Sequence, residues 1–426
     1  MRILLTANAS YLPPRGGATR SNLVWLKHLA EAGHDCRVVA SALGDAAGRQ
    51  RQSLEERTYE GWHPVPTEEG VEAFERGRLR VYSTAARQAA VLRAQIREFQ
   101  PDWVLASSED ISHLLLRSAA QELPGRVVYL AHTPQFFPFG PASWNRDEEG
   151  TRLVAGAAGV VAIGQHMAAY IREHTGRDAA VIHPPIYGEG PWPDVSCFER
   201  GLLTLVNPCA VKGISILLAL ADRLPHQQFG ALPGWGTTAA DRAGLARRPN
   251  ITILPNCRDI VEMMARTRVL LMPSLWYEGF GLSVVEAMLH GIPVISSGAG
   301  GLQEAQMGTG VVVPAPGIER YEASFDERGM PSPVLPEMEI EPWVQAVEKL
   351  LSDRAAYQAE SHRARQAALA FVGGLQAGDF ERYLGSLHAA AAAPPPARHS
   401  ALQDLSPEKR ALLLERLRRR GSAKAN

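Results

Sequence analysis

Residues 275–297 read LWYEGFGLSVVEAMLHGIPVISS, a stretch with two carboxylates, Glu278 and Glu286, and seven residues between them. The run before it, VLLMPS, is short, apolar and closed by turn residues, as a buried parallel strand would be. Gly279 and Gly281 let the backbone pass close to a ligand, and a helix is predicted from about Leu282, stopping at Gly291 with Pro293 just beyond. The free N–H groups of Gly281, Leu282 and Ser283 at that helix start form an anion site. At ~1.5 Å rise per residue, Glu286 lies roughly 6 Å along the helix from Leu282, whereas Glu278 lies in the loop on the other side of those amides. A diphosphate fits between the two acids. Each ionised carboxylate can accept from two neighbouring hydroxyls, so together they could grip a nucleotide sugar by a ribose diol at one end and a hexose diol at the other. The plain alternative is a pair of surface glutamates around an amphipathic helix.

The same alternation of apolar runs and helix-period segments extends in both directions, the pattern of parallel strands joined by crossover helices. The first half holds RILLTA, CRVVAS, LRVYST, WVLASS, RVVYLAH, GVVAIG and AAVIHPPI; a polar, proline-bearing segment at 188–200 interrupts it; the second half restarts with LLTLVNP, FGALP, ITILP, VLLMPS, PVISS and GVVVP. The fold expected is α/β with two Rossmann-like doubly wound domains facing a central cleft. Residues 1–187 are expected to form the first domain, 188–200 the linker and 201–372 the second. A helix over 373–390 returns to the first domain, and 391–426 is a flexible linker with an amphipathic tail. Residues 315–338, rich in Pro, Gly and charge, read as a surface insertion or long loop. Ligands of open α/β sheets bind at the carboxyl ends of strands, where every motif below sits.

Composition narrows the chemistry. The chain has 426 residues, 46% hydrophobic and 21% charged, enough for two domains with cores of their own. Its 44 Lys and Arg against 45 Asp and Glu give no basic excess for nucleic acid or an anionic membrane. Cys36, Cys197, Cys209 and Cys257 make no C-x-x-C pair, and the chain opens directly on a strand, so a cytoplasmic protein without disulfides or a zinc knuckle is expected.

Glu278-x7-Glu286, with PSLWYEGFG before it and GIPVISSGAGGLQEA after it, closely resembles the signature of retaining glycosyltransferases of sequence family 4, which have the GT-B fold; the resemblance runs from Met1 to about Leu387. It implies that Glu278 faces the transferred sugar and Glu286 the ribose of the leaving nucleotide, with Gly279, Phe280, Gly281 and Leu282 in the donor-binding loop. In VNPCAVKGI, Lys212 is positioned to put an ammonium on a phosphate. The resembled family has an Arg where this chain has Asn207, which can donate a hydrogen bond but carries no charge, so another cation such as Arg15, Arg20 or Arg258 would share the load. Gly16 and Gly17, after the first strand, resemble the family's glycine pair that faces the diphosphate. The pattern is not G-x-G-x-x-G, which leaves a dinucleotide-binding dehydrogenase poorly supported. By the same resemblance His132, ending RVVYLAH, lines the cleft near the sugar, and NCRD, with Arg258, contacts the base. Gly300 and Gly301 read as scaffold.

No two aspartates lie two residues apart, so no D-x-D metal motif is present, and metal-independent transfer without a cofactor is expected, Lys212 and the helix start standing in for a metal. The expected donor is a nucleoside-diphosphate sugar, UDP by family frequency, and the acceptor a hydroxyl of a natural product or glycan. A nucleotide-sugar binding module and a GT-B epimerase or phosphorylase are the competing readings. LSPEKRALLLERLRRR, within 402–420, reads as a short amphipathic helix that docks on a biosynthetic megasynthase, contacts a membrane surface, or is a solvated extension.

Overall fold

The computed structural model describes residues 1–14, 16–42, 61–85, 87–256 and 259–390. The expected tail over 402–420 therefore lies outside the described residues, as do Arg15, Cys257 and Arg258. Met1–Ala390 forms one compact unit around two sheets.

The first sheet has nine strands: β1 (Arg2–Ala7), β2 (Asp35–Ser41), β3 (His63–Val65), β4 (Val71–Arg76), β5 (Leu79–Thr84), β6 (Trp103–Ser107), β7 (Val127–Ala131), β8 (Gly159–Ala162) and β9 (Ala180–Val181), in the order β3-β4-β5-β2-β1-β6-β7-β8-β9. Every residue of β6, β7 and β8 is buried, the signature of strands covered by helices on both faces. At the other edge β3, β4 and β5 run antiparallel, a departure from the all-parallel expectation. β4, VEAFER, shows neither an unbroken apolar run nor a clean alternation, so its sequence carries no strand signal.

The second sheet is parallel throughout: β10 (Leu202–Val206), β11 (Phe229–Leu232), β12 (Ile251–Ile253), β13 (Thr267–Met272), β14 (Val294–Ser296) and β15 (Val311–Val312), in the order β12-β11-β10-β13-β14-β15. The segment read as a loop at 315–338 contains an antiparallel ribbon, β16 (Arg320–Phe325) with β17 (Pro331–Val334). Two prolines in β17 hide it from pattern reading, yet both are tolerated in a two-stranded ribbon that has free edges.

Both sheets reverse direction beside their first strand. β1 lies between β2 and β6, and β10 between β11 and β13. Those two switch points open crevices at the strand ends where ligands of such sheets bind. The chain crosses from one sheet to the other through 188–200 and recrosses near its end. There the helix Asp379–Ser386 stacks Phe380 on Trp25 with ring centroids 4.7 Å apart and bonds Tyr383 Oη to the Val160 carbonyl of the first sheet. Arg365 ties the crossing segment down, its guanidinium bonding the Trp192 carbonyl at 2.7 Å and the Leu289 carbonyl.

Candidate active site

The loop between β13 and the helix Leu282–Leu289 carries the two acids. Gly281 begins that helix at φ 123°, a conformation closed to most side chains, and neither a capping side chain nor an acid in the first turn occupies its N–H groups. Glu278 is buried, and its Oε1 accepts from Lys212 Nζ at 2.5 Å and from Ser274 Oγ. The ammonium also lies 4.5 Å over the Trp276 ring. Gly301 N donates to the Glu278 carbonyl at 2.9 Å, so the GAGG turn acts as scaffold for this loop. Glu286, one turn into the helix and buried, accepts from Arg20 Nη2 at 2.8 Å, and Tyr187 is close enough that burial, then the Glu286 charge, raise its phenol pKa. Taking a carboxylate out of water is costly unless a cation accompanies it, and each of these acids has one.

The first sheet supplies the opposite wall. The helix Gly17–Glu31 starts at Gly16, φ 91°, and among the described residues it too has no side-chain cap and no acid in its first turn. A Cβ on Gly17 would stand 2.9 Å from Leu282 Cδ1, so the starts of these two helices meet across the cleft. At the end of β7, a Cβ on Gly279 would sit 2.1 Å from the His132 carbonyl oxygen. Glycine is what allows the two loops to touch.

His132 is fully enclosed, and burial pushes its imidazole down to about 3. Asn22 lies 2.8 Å from Tyr11 Oη and 3.1 Å from Ser107 Oγ through Nδ2; with the amide in this orientation, Oδ1 accepts from His132 Nε2–H at 2.8 Å. The neutral ring thus presents Nδ1 as a lone pair, with no hydrogen-bond partner among the described residues. It can accept from a hydroxyl but is a poor base near neutrality. Glu109, beside Ser107 beyond β6, is pushed up to about 7 by burial, against a hydrogen bond from Ser107 that favours its charged form.

Asn207 has left-handed backbone, φ 57°, and its Oδ1 accepts from Gly236 N at 2.9 Å. Only Nδ2, buried and unpartnered among the described residues, remains for a ligand. Phe280, expected in the donor loop, buries its ring against His183 and Phe371 at 4.9 and 5.8 Å, so it packs the core and offers the cleft its backbone alone. Among the described residues no cluster of His, Cys, Asp and Glu is placed to hold a metal ion, and no helix is long and apolar enough to cross a membrane.

Sequence reasoning missed Ser274, Asn22, Glu109, Tyr187 and Glu304. Asn22 alone gave a signal, being a polar residue on the face of its helix that also buries Leu23 and Leu26. Glu304 accepts from the amides of Gln165 and His166 at 2.7 and 2.9 Å, so this second-half carboxylate caps a first-half helix, Gln165–Thr175.

Residues 15–187 match the family model Glycosyltransferase Family 4, and residues 204–325 match Glycosyl transferases group 1. No match was found among curated proteins. Among solved structures, sucrose-phosphate synthase from Thermosynechococcus elongatus is 18% identical with a TM-score of 0.65, covering 90% of this chain and 99% of its own. HepE from Anabaena, in complex with UDP and glucose, is 17% identical with a TM-score of 0.61, covering 91% and 100%. The catalytic domain of starch synthase IV from Arabidopsis thaliana, bound to ADP and acarbose, is 11% identical with a TM-score of 0.57, covering 90% and 98%. At such identities the likeness is one of fold. The chain has the GT-B fold, with the family model Glycosyltransferase Family 4 matched in its first half and Glycosyl transferases group 1 in its second.

Proposed function

We propose that the protein is a retaining, metal-independent glycosyltransferase that moves a sugar from a nucleoside-diphosphate sugar, UDP first among candidates, to a hydroxyl of a natural product or glycan. One observation carries the reading: Glu278, with Lys212 and Ser274 on its Oε1, lies beside an uncapped helix start whose own helix holds Glu286. Sugar, diphosphate and ribose find a carboxylate, an open helix start with an ammonium, and a second carboxylate in the right order. The UDP-glucose complex of HepE, a protein of the same fold, supports the choice of donor.

As the bond from the anomeric carbon to the diphosphate oxygen breaks, its electron pair stays on that oxygen, where Lys212 and the Leu282 helix start stabilise the charge. The acceptor oxygen bonds the same carbon on the same face, and its proton passes to the departing phosphate. A neutral His132 suits this scheme, since it would position a hydroxyl through Nδ1 rather than remove a proton. Asn207 Nδ2 suits a phosphate oxygen. Unpaired Cys36, Cys197 and Cys209 suit the cytoplasm.

UDP-, ADP- and GDP-sugars incubated with candidate acceptors, with nucleotide release and product configuration measured, test the proposal. Release should need an acceptor, survive EDTA, give a product with the donor's anomeric configuration and vanish in Glu278→Ala. Inverted product refutes retention. Release without acceptor favours the epimerase or phosphorylase reading, and activity that survives Glu278→Ala removes the assigned site.

A further inference from the structure

We infer that Arg20 supplies the cationic charge missing at Asn207, resting on Glu286 before a nucleotide binds and moving to the diphosphate when a ribose takes that carboxylate. The inference rests on the function proposed above and assigns Arg20 as a catalytic residue of that site.

Four observations lead there. Asn207 cannot serve as a cation, and its left-handed backbone and bond to Gly236 commit it to holding a turn. Arg20 lies in the first turn of the helix Gly17–Glu31, where the positive end of a helix disfavours a cation unless an anion comes to it. That helix start touches the start of the Leu282 helix through Gly17, so guanidinium and both helix starts border one space. Finally, the Arg20 side chain is 42% exposed whereas that of Glu286 is 8% exposed, so the carboxylate is fixed and the arginine is the partner with room to move.

Before a nucleotide binds, the pair neutralises an acid that would otherwise be buried alone. A ribose diol donates two hydrogen bonds to the same carboxylate and displaces the guanidinium. A diphosphate between the helix starts then receives it, in the planar, forked geometry that arginine matches and lysine does not. The electron pair left on the departing oxygen, when the sugar's C–O bond breaks, is where the charge acts.

The test compares wild type, Arg20→Gln and Arg20→Lys, each checked for an unchanged melting profile, by titration with UDP, ADP, GDP and the parent nucleosides, followed by turnover of the sugar nucleotide whose base binds. Arg20→Gln should bind the nucleoside diphosphate about ten- to a hundredfold more weakly, the range for a lost charged hydrogen bond. It should bind the nucleoside equally or more tightly, because Glu286 is no longer occupied. kcat should fall further than 1/KM, and Arg20→Lys should recover part of both. A tether acting only on Glu286 would move diphosphate and nucleoside affinities together, and that result overturns the assignment. So does unchanged diphosphate affinity in Arg20→Gln. If wild type binds none of the three diphosphates, the glycosyltransferase reading fails first, and this inference with it.

Discussion

Gly279→Ala tests whether contact between the two loops sets the catalytic geometry. The added Cβ would lie 2.1 Å from the His132 carbonyl oxygen, a backbone atom that cannot rotate away, and 3.2 Å from Ile163 Cδ1. Carbon and oxygen approach to about 3.3 Å at closest, so the loops must part by about 1 Å. Neither side yields readily. His132 N is bonded to Ser108 Oγ at 3.1 Å and its ring to Asn22, while Glu278 is held by Lys212, Ser274 and Gly301. The displacement therefore separates Glu278 from His132, and a misplacement of about 1 Å costs about a hundredfold in rate, or about 2.7 kcal/mol of barrier. Steady-state turnover should show kcat/KM reduced by that factor. Gly373→Ala is the control, since its Cβ meets nothing within 4 Å. A folded Gly279→Ala enzyme with kcat/KM within about threefold of wild type would refute the argument.

Glu278→Gln keeps the shape but leaves the Lys212 ammonium, only 14% exposed, without its counter-charge. We expect a loss in kcat of at least about a hundredfold and a lower melting temperature, read by turnover and calorimetry. His132, driven to about 3, should hold the Nε2–H tautomer from pH 8 to 4.5 in imidazole NMR spectra. Because the unfolded chain takes up that proton from pH 6.5 downward and the folded one does not, stability falls as pH drops, by about 2 kcal/mol from this group between pH 7 and 5. Glu109 acts in the opposite sense: its raised pKa stabilises the fold below about pH 4.5, and that contribution disappears as pH climbs through about 7. Glu109→Gln should accordingly remove that loss of stability between about pH 4.5 and about 7 in urea titrations. Glu304→Ala removes the cap on Gln165 and His166, with an expected cost of about 1 kcal/mol, visible as faster hydrogen exchange at those two amides.

What the sequence disclosed follows from chain separation. Glu278 and Glu286 share one strand-loop-helix unit, so glycines, spacing and helix stop together announce them, and β6 and β7 announce themselves as unbroken apolar runs. The partners that complete the site do not. Arg20 meets Glu286 across 266 positions, His132 meets Asn22 across 110, and Gln165 meets Glu304 across 139. No local period encodes such pairs, and only the packing of the two sheets creates them. Phe280 shows the converse: it lies inside the motif that announces the donor loop, yet its ring packs against His183 and Phe371.

The contrast between helix starts carries the electrostatic argument furthest. The helix Gln165–Thr175 begins with a glycine and no cap of its own, and the protein fills it with Glu304. The helices Gly17–Glu31 and Leu282–Leu289 also begin with glycines, yet among the described residues neither has a capping side chain nor an acid in its first turn. The acids nearby point their charge at Lys212 and Arg20 instead. A fold that caps one helix start across the cleft and leaves two adjoining ones open, with two cations held in reserve on carboxylates, is arranged for an anion that arrives from outside. Filling either start with the protein's own carboxylate, as in Ala18→Asp, should then weaken nucleoside diphosphate binding by competition while stabilising the helix it caps, two effects of opposite sign that separate loss of the site from loss of the fold.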